Sequence, residues 1–174
     1  MEAQTQTATP MTVGVRYGLL TGLVSIIFSF VLFVTESDQS PIRWLGLGIL
    51  IVAMVLAHNF YKQAHNGFMS YAEGLTIGAI MSVVSGALST AFNYVYMTFV
   101  DPEYMGRVTE ITRTKMEEQG QMTDEQIDQA VGMMQKFSSG GWMIVFGILG
   151  SLLFGFLIAL LVSAFTKHAR PEFE

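Results

Sequence analysis

Apolar and polar positions separate along this chain in long blocks, not within each helical turn. Four stretches carry no Asp, Glu, Lys or Arg: Gly18–Val34, Trp44–Tyr61, Gly74–Val100 and Phe137–Thr166, together 92 residues. A helix of about 20 apolar residues crosses the roughly 30 Å hydrocarbon layer of a bilayer. A helix of a soluble domain would carry charges on one face of every turn. The pattern therefore predicts four membrane-spanning helices, over about 15–35, 43–61, 73–100 and 141–166. The first is expected to be an uncleaved span with Arg16 at its start. The N-terminus MEAQTQTATP has no Lys or Arg, and the run ends in FVTESDQS without a convincing cleavage site. Trp44 and Tyr61 frame the second span, as amphipathic rings do at the membrane–water boundary.

Between the third and fourth spans the pattern becomes amphipathic. Asp101-Pro102 suits a helix start, and Met105, Val108, Ile111 and Met116 follow as a partial apolar stripe. Gly120 is a plausible C-cap. Thr123-Asp124-Glu125-Gln126 has capping-box spacing ahead of Ile127, Ala130, Val131, Met134 and Phe137. Residues 101–137 thus read as an extramembrane helical hairpin, and Ser138-Ser139-Gly140-Gly141 as a flexible joint before the last span. The predicted fold class is all-α: an integral membrane four-helix bundle with an amphipathic two-helix extramembrane hairpin between spans three and four, residues 1–174 forming a single membrane domain.

Composition sharpens this picture. Only 13% of the chain is charged, about half the roughly 25% of an ordinary soluble protein. All 23 charged residues lie in the 82 residues outside the four stretches, a normal density of 28%. A soluble globular fold is excluded. The net charge of −5 argues against nucleic acid as a partner. With no Cys there is no disulfide, thiolate metal site or cysteine nucleophile. In a four-span topology the two termini and the second link share one side, where Arg16, Lys62, Lys167 and Arg170 balance Glu2, Glu73, Glu172 and Glu174. The other side carries five basic and ten acidic residues, hence the whole −5. Raw Lys/Arg counts of 4 and 5 do not discriminate. The four on the first side hug the span ends, which favours cytoplasmic termini and an external hairpin.

Small residues recur at i, i+4 in three spans: Gly14, Gly18 and Gly22 in the first; Gly74, Gly78, Ser82, Gly86 and Thr90 in the third; Gly147, Ser151, Gly155, Ala159 and Ser163 in the fourth. In lipid such faces let helices approach closely. They are expected to pack the bundle, and they also offer a face for a homo-oligomer or a partner's helix. A weak echo between Arg16–Gly22 and Ala72–Gly78 hints at parallel duplication of a two-helix unit.

The candidate polar residues are His58, Asn59, Lys62, Glu73 and, deeper, Asn93 near Ser82, Ser85, Ser89 and Thr90. Ionisable groups are expensive inside a membrane. His58, Lys62 and Glu73 can meet at one interface as a proton or ion relay or a lipid headgroup site. The alternative is structural: they snorkel, pair with one another and cap the helix at Gly74. Three scattered His make no metal site, and twelve Met spread without clustering suit core filling. No HExxH, P-loop or GxSxG motif occurs. Neither a catalytic site, nor a metal, nor a cofactor is expected.

Tyr61-Lys62 ending the second span, the link with Asn66-Gly67 and Ser70-Tyr71, Glu73-Gly74 opening the third span and the Asp101-Pro102-x-Tyr104 exit form a connected pattern. With the four-span plan and the helical insert, it resembles the bacterial membrane proteins of domain-of-unknown-function family 4199, over nearly the whole chain. The resemblance implies the inner membrane of a bacterium with an outer membrane, the hairpin then being periplasmic. It implies no activity. It also suggests, by association of genes, a polyprenyl-phosphate-type glycosyltransferase as a membrane partner. The leading expectation is a non-enzymatic scaffold or accessory subunit associating through small-residue helix faces. The alternative is a small oligomeric transporter or channel-like protein using the His/Lys/Glu cluster, and an enzyme acting on a lipid-linked substrate has the least support.

Overall fold

Local chemistry sets where each helix starts and stops. In the computed structural model, which describes residues 8–138 and 140–168, α1 runs Pro10–Val34. It opens earlier than the charge pattern implied, because Thr9 and Thr12 form a reciprocal capping box and Pro10 takes the first position. A 3₁₀ turn at Pro41–Trp44 leads into α2, Leu45–Ala64. Asn66 and Gly67 adopt positive φ, 55° and 87°, to reverse the chain. The helix α3, Tyr71–Val95, continues as a π-helical turn over Tyr96–Val100. Then come α4 (Tyr104–Gln119), α5 (Asp124–Ser138) and α6 (Gly141–Thr166). Among the described residues, four helical segments are long and apolar enough to cross a membrane: Pro10–Val34, Pro41–Ala64, Tyr71–Val100 and Gly141–Thr166. Ser139 of the expected joint, and the flanking charges Glu2, Arg170, Glu172 and Glu174, lie outside the described residues.

The contacts divide the chain into two units, one holding residues up to Ser89 and from Gly150 onward, the other Thr90–Leu149. The first is the helical bundle. Its α1 and α3 run parallel in fixed register, Gly14 against Ile80, Gly18 against Val84 and Gly22 against Leu88. A β-carbon added to Gly14 or Gly18 would sit 2.8 or 2.9 Å from the Cβ of its partner. The glycine face of α1 is a groove filled by the bulkier ridge of α3. Against α6, α3 runs antiparallel, and the contacts are Gly74 with Ser163, Gly78 with Ala159, Ser82 with Gly155 and Gly86 with Ser151. One member of each pair is glycine. Added β-carbons at Gly86 and Gly155 would fall on the side chains of Ser151 and Ser82.

The third helix is the centre of this unit. Of its span window 39% is buried, against 17%, 17% and 11% for the others. Met54 of α2, Ile77 and Met81 of α3 and Ala159 of α6 are fully enclosed between the helices. Large side chains point outward along the remaining faces, among them Leu23, Ile27, Phe154 and Leu161. A soluble surface rarely tolerates apolar patches on that scale; a bilayer does.

The second unit contains the hairpin. Its α4 starts at Tyr104, not at Asp101-Pro102, because those residues form a turn closed by Tyr104 N–H donating to Asp101 O. The Asp101 carboxylate instead takes the Arg107 guanidinium. Gly120 ends α4 in the left-handed region at φ 61°. Thr123 and Gln126 then cap α5 reciprocally. Ile127 and Val131 of α5 are buried, while Arg113 of α4 bonds both Glu117 and Asp128, the latter at 2.8 Å. Phe137 meets Phe146 edge-on, 4.7 Å between centroids, across the joint to α6, whose Gly147 faces Thr90 of α3.

Two outcomes are expected. Replacing Gly78 or Gly86 by Leu lowers thermal stability in detergent by about 1–3 kcal/mol, the usual cost of forcing extra volume into a packed contact. Gly48→Leu and Gly150→Leu, with nothing within 4 Å of the added β-carbon, leave it unchanged. Equal effects at all four sites would contradict the register. The second outcome concerns acid. The Arg107 hydrogen bonds hold the Asp101 carboxyl below the ordinary 3.8, against a smaller desolvation effect. A lowered folded value means the stabilisation is present above the ordinary value and disappears as pH falls through the folded one. Hydrogen exchange of the first α4 amides should therefore accelerate only in strong acid, and Asp101→Asn should remove that dependence.

Candidate functional site

His58 sits where three helices converge. It projects from α2 with no solvent exposure. Its Nε2 is 3.0 Å from the Gly74 carbonyl of α3, and its Nδ1 is 2.8 Å from the Thr166 hydroxyl of α6. A carbonyl only accepts, so Nε2 carries a proton. The Thr166 hydroxyl has a second acceptor, the Val162 carbonyl at 2.7 Å. With a neutral ring the hydroxyl donates to Nδ1. With a protonated ring, Nδ1–H donates to the hydroxyl, which turns to Val162. Rotation of one hydroxyl therefore satisfies either state.

Lys62, one turn further along α2, donates from Nζ to the Thr166 carbonyl at 3.2 Å. It thus caps the C-terminus of α6, where the helix dipole favours a cation. His58 and Lys62 converge on the same threonine from two directions. Just beyond, the chain pairs once in β fashion: Met69 and His168 exchange backbone hydrogen bonds of 2.9 and 2.8 Å, and the His168 ring stacks on Phe68. These bonds tie the α2–α3 link to the end of α6.

Glu73 serves another purpose. Its Oε2 accepts from the Ser70 N–H at 2.7 Å, while the Glu73 N–H donates to Ser70 Oγ at 3.2 Å. Ser70-x-x-Glu73 is a capping box opening α3. The other carboxylate oxygen accepts from Tyr61 OH at 2.7 Å. Tyr61 itself stacks on His65, whose Nδ1 donates to the Tyr61 carbonyl. Among the described residues no ion pair joins Lys62 to Glu73. Asn59 is exposed beside Lys62. Asn93 lies in the other unit, with Oδ1 buried and unpartnered.

Sequence reasoning overlooked Ser70, Thr166 and the roles of Tyr61 and His168. The S-x-x-E spacing at 70–73 is the signal that announces this box in the sequence. Nothing local announces Thr166, which lies 108 residues from His58.

A double-mutant cycle tests the box. Ser70→Ala and Glu73→Ala should each cost roughly 1 kcal/mol, as loss of a cap does, and the double variant should cost less than their sum. Additive losses would mean the two side chains do not meet.

No curated protein and no solved structure matches this chain. A family model described as "Protein of unknown function (DUF4199)" matches residues 16–168. That span runs from Arg16, in the second turn of α1, to His168, which pairs with Met69. The chain belongs to domain-of-unknown-function family 4199.

Proposed function

We propose that this is a non-enzymatic membrane scaffold or accessory subunit that presents an acidic helical hairpin to a partner. The observation that carries this reading is the hairpin itself. Residues 101–137 hold eight acidic and four basic side chains, and the hairpin is clasped internally by Arg113 and by Ile127 and Val131. Such a surface favours a basic partner by electrostatic steering. The small-residue faces of α1, α3 and α6 are occupied by one another within one chain. Docking is therefore assigned to the hairpin, ahead of the helix faces. The setting is a bacterial inner membrane, with cytoplasmic termini and a periplasmic hairpin, and a polyprenyl-phosphate-type glycosyltransferase is the first partner to test.

The chain has no native Cys, so single cysteines report topology cleanly. A cysteine at Glu118 should react with an impermeant maleimide added to intact spheroplasts, and one at Gln63 should not. Replacing Glu110, Glu117, Glu118 and Glu125 with Gln should abolish co-purification of the partner from native membranes while leaving the bundle folded. Unchanged co-purification, or an isolated monomer from wild-type membranes, overturns the reading.

A second reading is favoured by one observation, the complete burial of His58 with partners on α3 and α6. A small transporter would use it to move a proton. Flux in proteoliposomes that is lost in His58→Gln would support that reading, and absence of flux from the wild type would end it.

A further inference from the structure

We propose that the open groove between the ends of α2 and α6 binds the phosphate headgroup of an anionic membrane lipid. The groove is wide and open to its surroundings, with a volume of about 730 Å³. Lys62 stands on the α2 wall, Lys167 and His168 on the α6 wall, with Asn59, Gln63 and Asn66 between them. Among the described residues no carboxylate lines it. The neighbouring acid, Glu73, is engaged by the Ser70 N–H and by Tyr61 OH. Lys62 gives one hydrogen bond to Thr166, which leaves two of its three ammonium protons for a ligand.

Two helix C-termini point toward this region, and each carries about half a negative charge. The two lysines outweigh them, leaving roughly one positive charge before His168 is counted. The α2 end is further quenched, since the Lys62 carbonyl accepts from both His65 and Gly67 N–H. The groove is therefore a net anion site despite its position at helix ends.

Its depth selects an amphiphile. The apolar spans α2 and α6 end at Ala64 and Thr166, so the groove lies at headgroup level when those helices cross a bilayer. Phe165, on its rim, is 88% exposed and offers an apolar face for an acyl chain. A phosphate on the groove's donors and a hydrocarbon tail along Phe165 would satisfy both halves of one lipid. The Met69–His168 pairing fixes the α6 wall relative to the loop that supplies Asn66, so the donors are set in place before binding.

The test uses the full chain reconstituted in nanodiscs or detergent with phosphatidylglycerol, phosphatidylcholine or inorganic phosphate, read by native mass spectrometry and thermal stability. Phosphatidylglycerol should be retained in preference to phosphatidylcholine. Each lysine should contribute about fivefold, as a basic residue near an anionic membrane surface does. Lys167→Gln should reduce the preference by that factor. Lys62→Gln with Lys167→Gln should erase it. Lys115→Gln, on the hairpin, should leave it unchanged. Lys62 also caps α6, so the single Lys167 variant, outside that contact, keeps the test decisive if the double variant fails to fold. Equal retention of the two lipids by the wild type overturns the proposal. So does protection by millimolar inorganic phosphate equal to that by lipid, which would make the site one for free phosphate.

Discussion

In a bilayer, two apolar helices gain nothing from leaving their solvent, because the lipid tails are as apolar as they are. What holds them is contact distance, and the antiparallel seam between α3 and α6 is built for it. At each contact a glycine faces a residue one or two heavy atoms larger: Gly74 with Ser163, Gly78 with Ala159, Ser82 with Gly155, Gly86 with Ser151. Two glycines facing would leave a void, and two larger residues would push the backbones apart. The alternation lets both helices approach closely along the seam while filling it. Dispersion between packed atoms falls off within about an ångström of added gap, so this complementarity is the term that decides the fold.

The seam also determines where the polar chemistry falls. Because α3 and α6 are held in register at Gly74 and Ser163, the next turn of α6 brings Thr166 beside His58. The α3 backbone is bare enough at Gly74 for its carbonyl to be reached from α2, at 3.0 Å from Nε2. A β-carbon at position 74 would meet Ser163 Oγ at 3.0 Å and Met69 Cε at 3.1 Å, so those neighbours would have to shift where His58 reaches the α3 backbone. The small-residue seam and the buried histidine are one arrangement. Ser163 shows its strictness: its hydroxyl is buried without a partner, tolerated where the close approach of Gly74 leaves no room for a larger group.

Much of the architecture was readable from spacing alone. Charge-free runs point to four long apolar helices, and among the described residues four helices are long and apolar enough to cross a membrane; Thr123-x-x-Gln126 caps α5 and Gly120 ends α4. The i, i+4 ladders mark small-residue faces without naming what packs on them. A period of four says that a face is smooth; only three-dimensional register says that Gly14, Gly18 and Gly22 receive Ile80, Val84 and Leu88. The early start of α1 is hidden by Arg16, which closes the charge-free run six residues inside a helix that Pro10 and the Thr9–Thr12 capping box begin. Thr166 was invisible for a deeper reason. Its role comes from a contact between residues far apart in the chain, and a single Thr at the end of an apolar helix carries no signal of that.

Charge counting shows the same limit from the other direction. On formal charge the side bearing the termini is neutral, and that number suggested little. The structure changes what the sum means. Glu73 is drawn into the cap of α3 and the hydroxyl of Tyr61, so its charge is directed at the protein. Arg16 lies over the Phe60 ring, 5.2 Å from its centroid, with its side chain exposed, and Lys167 and His168 are exposed at the end of α6. Among the described residues, the charge this end offers to its surroundings is therefore positive. On the hairpin, by contrast, the helices leave Glu110, Glu117, Glu118, Asp124 and Glu125 exposed. Electrostatics of this kind is what orients membrane proteins: clustered cations favour the side that carries anionic lipid, and acids are indifferent to it.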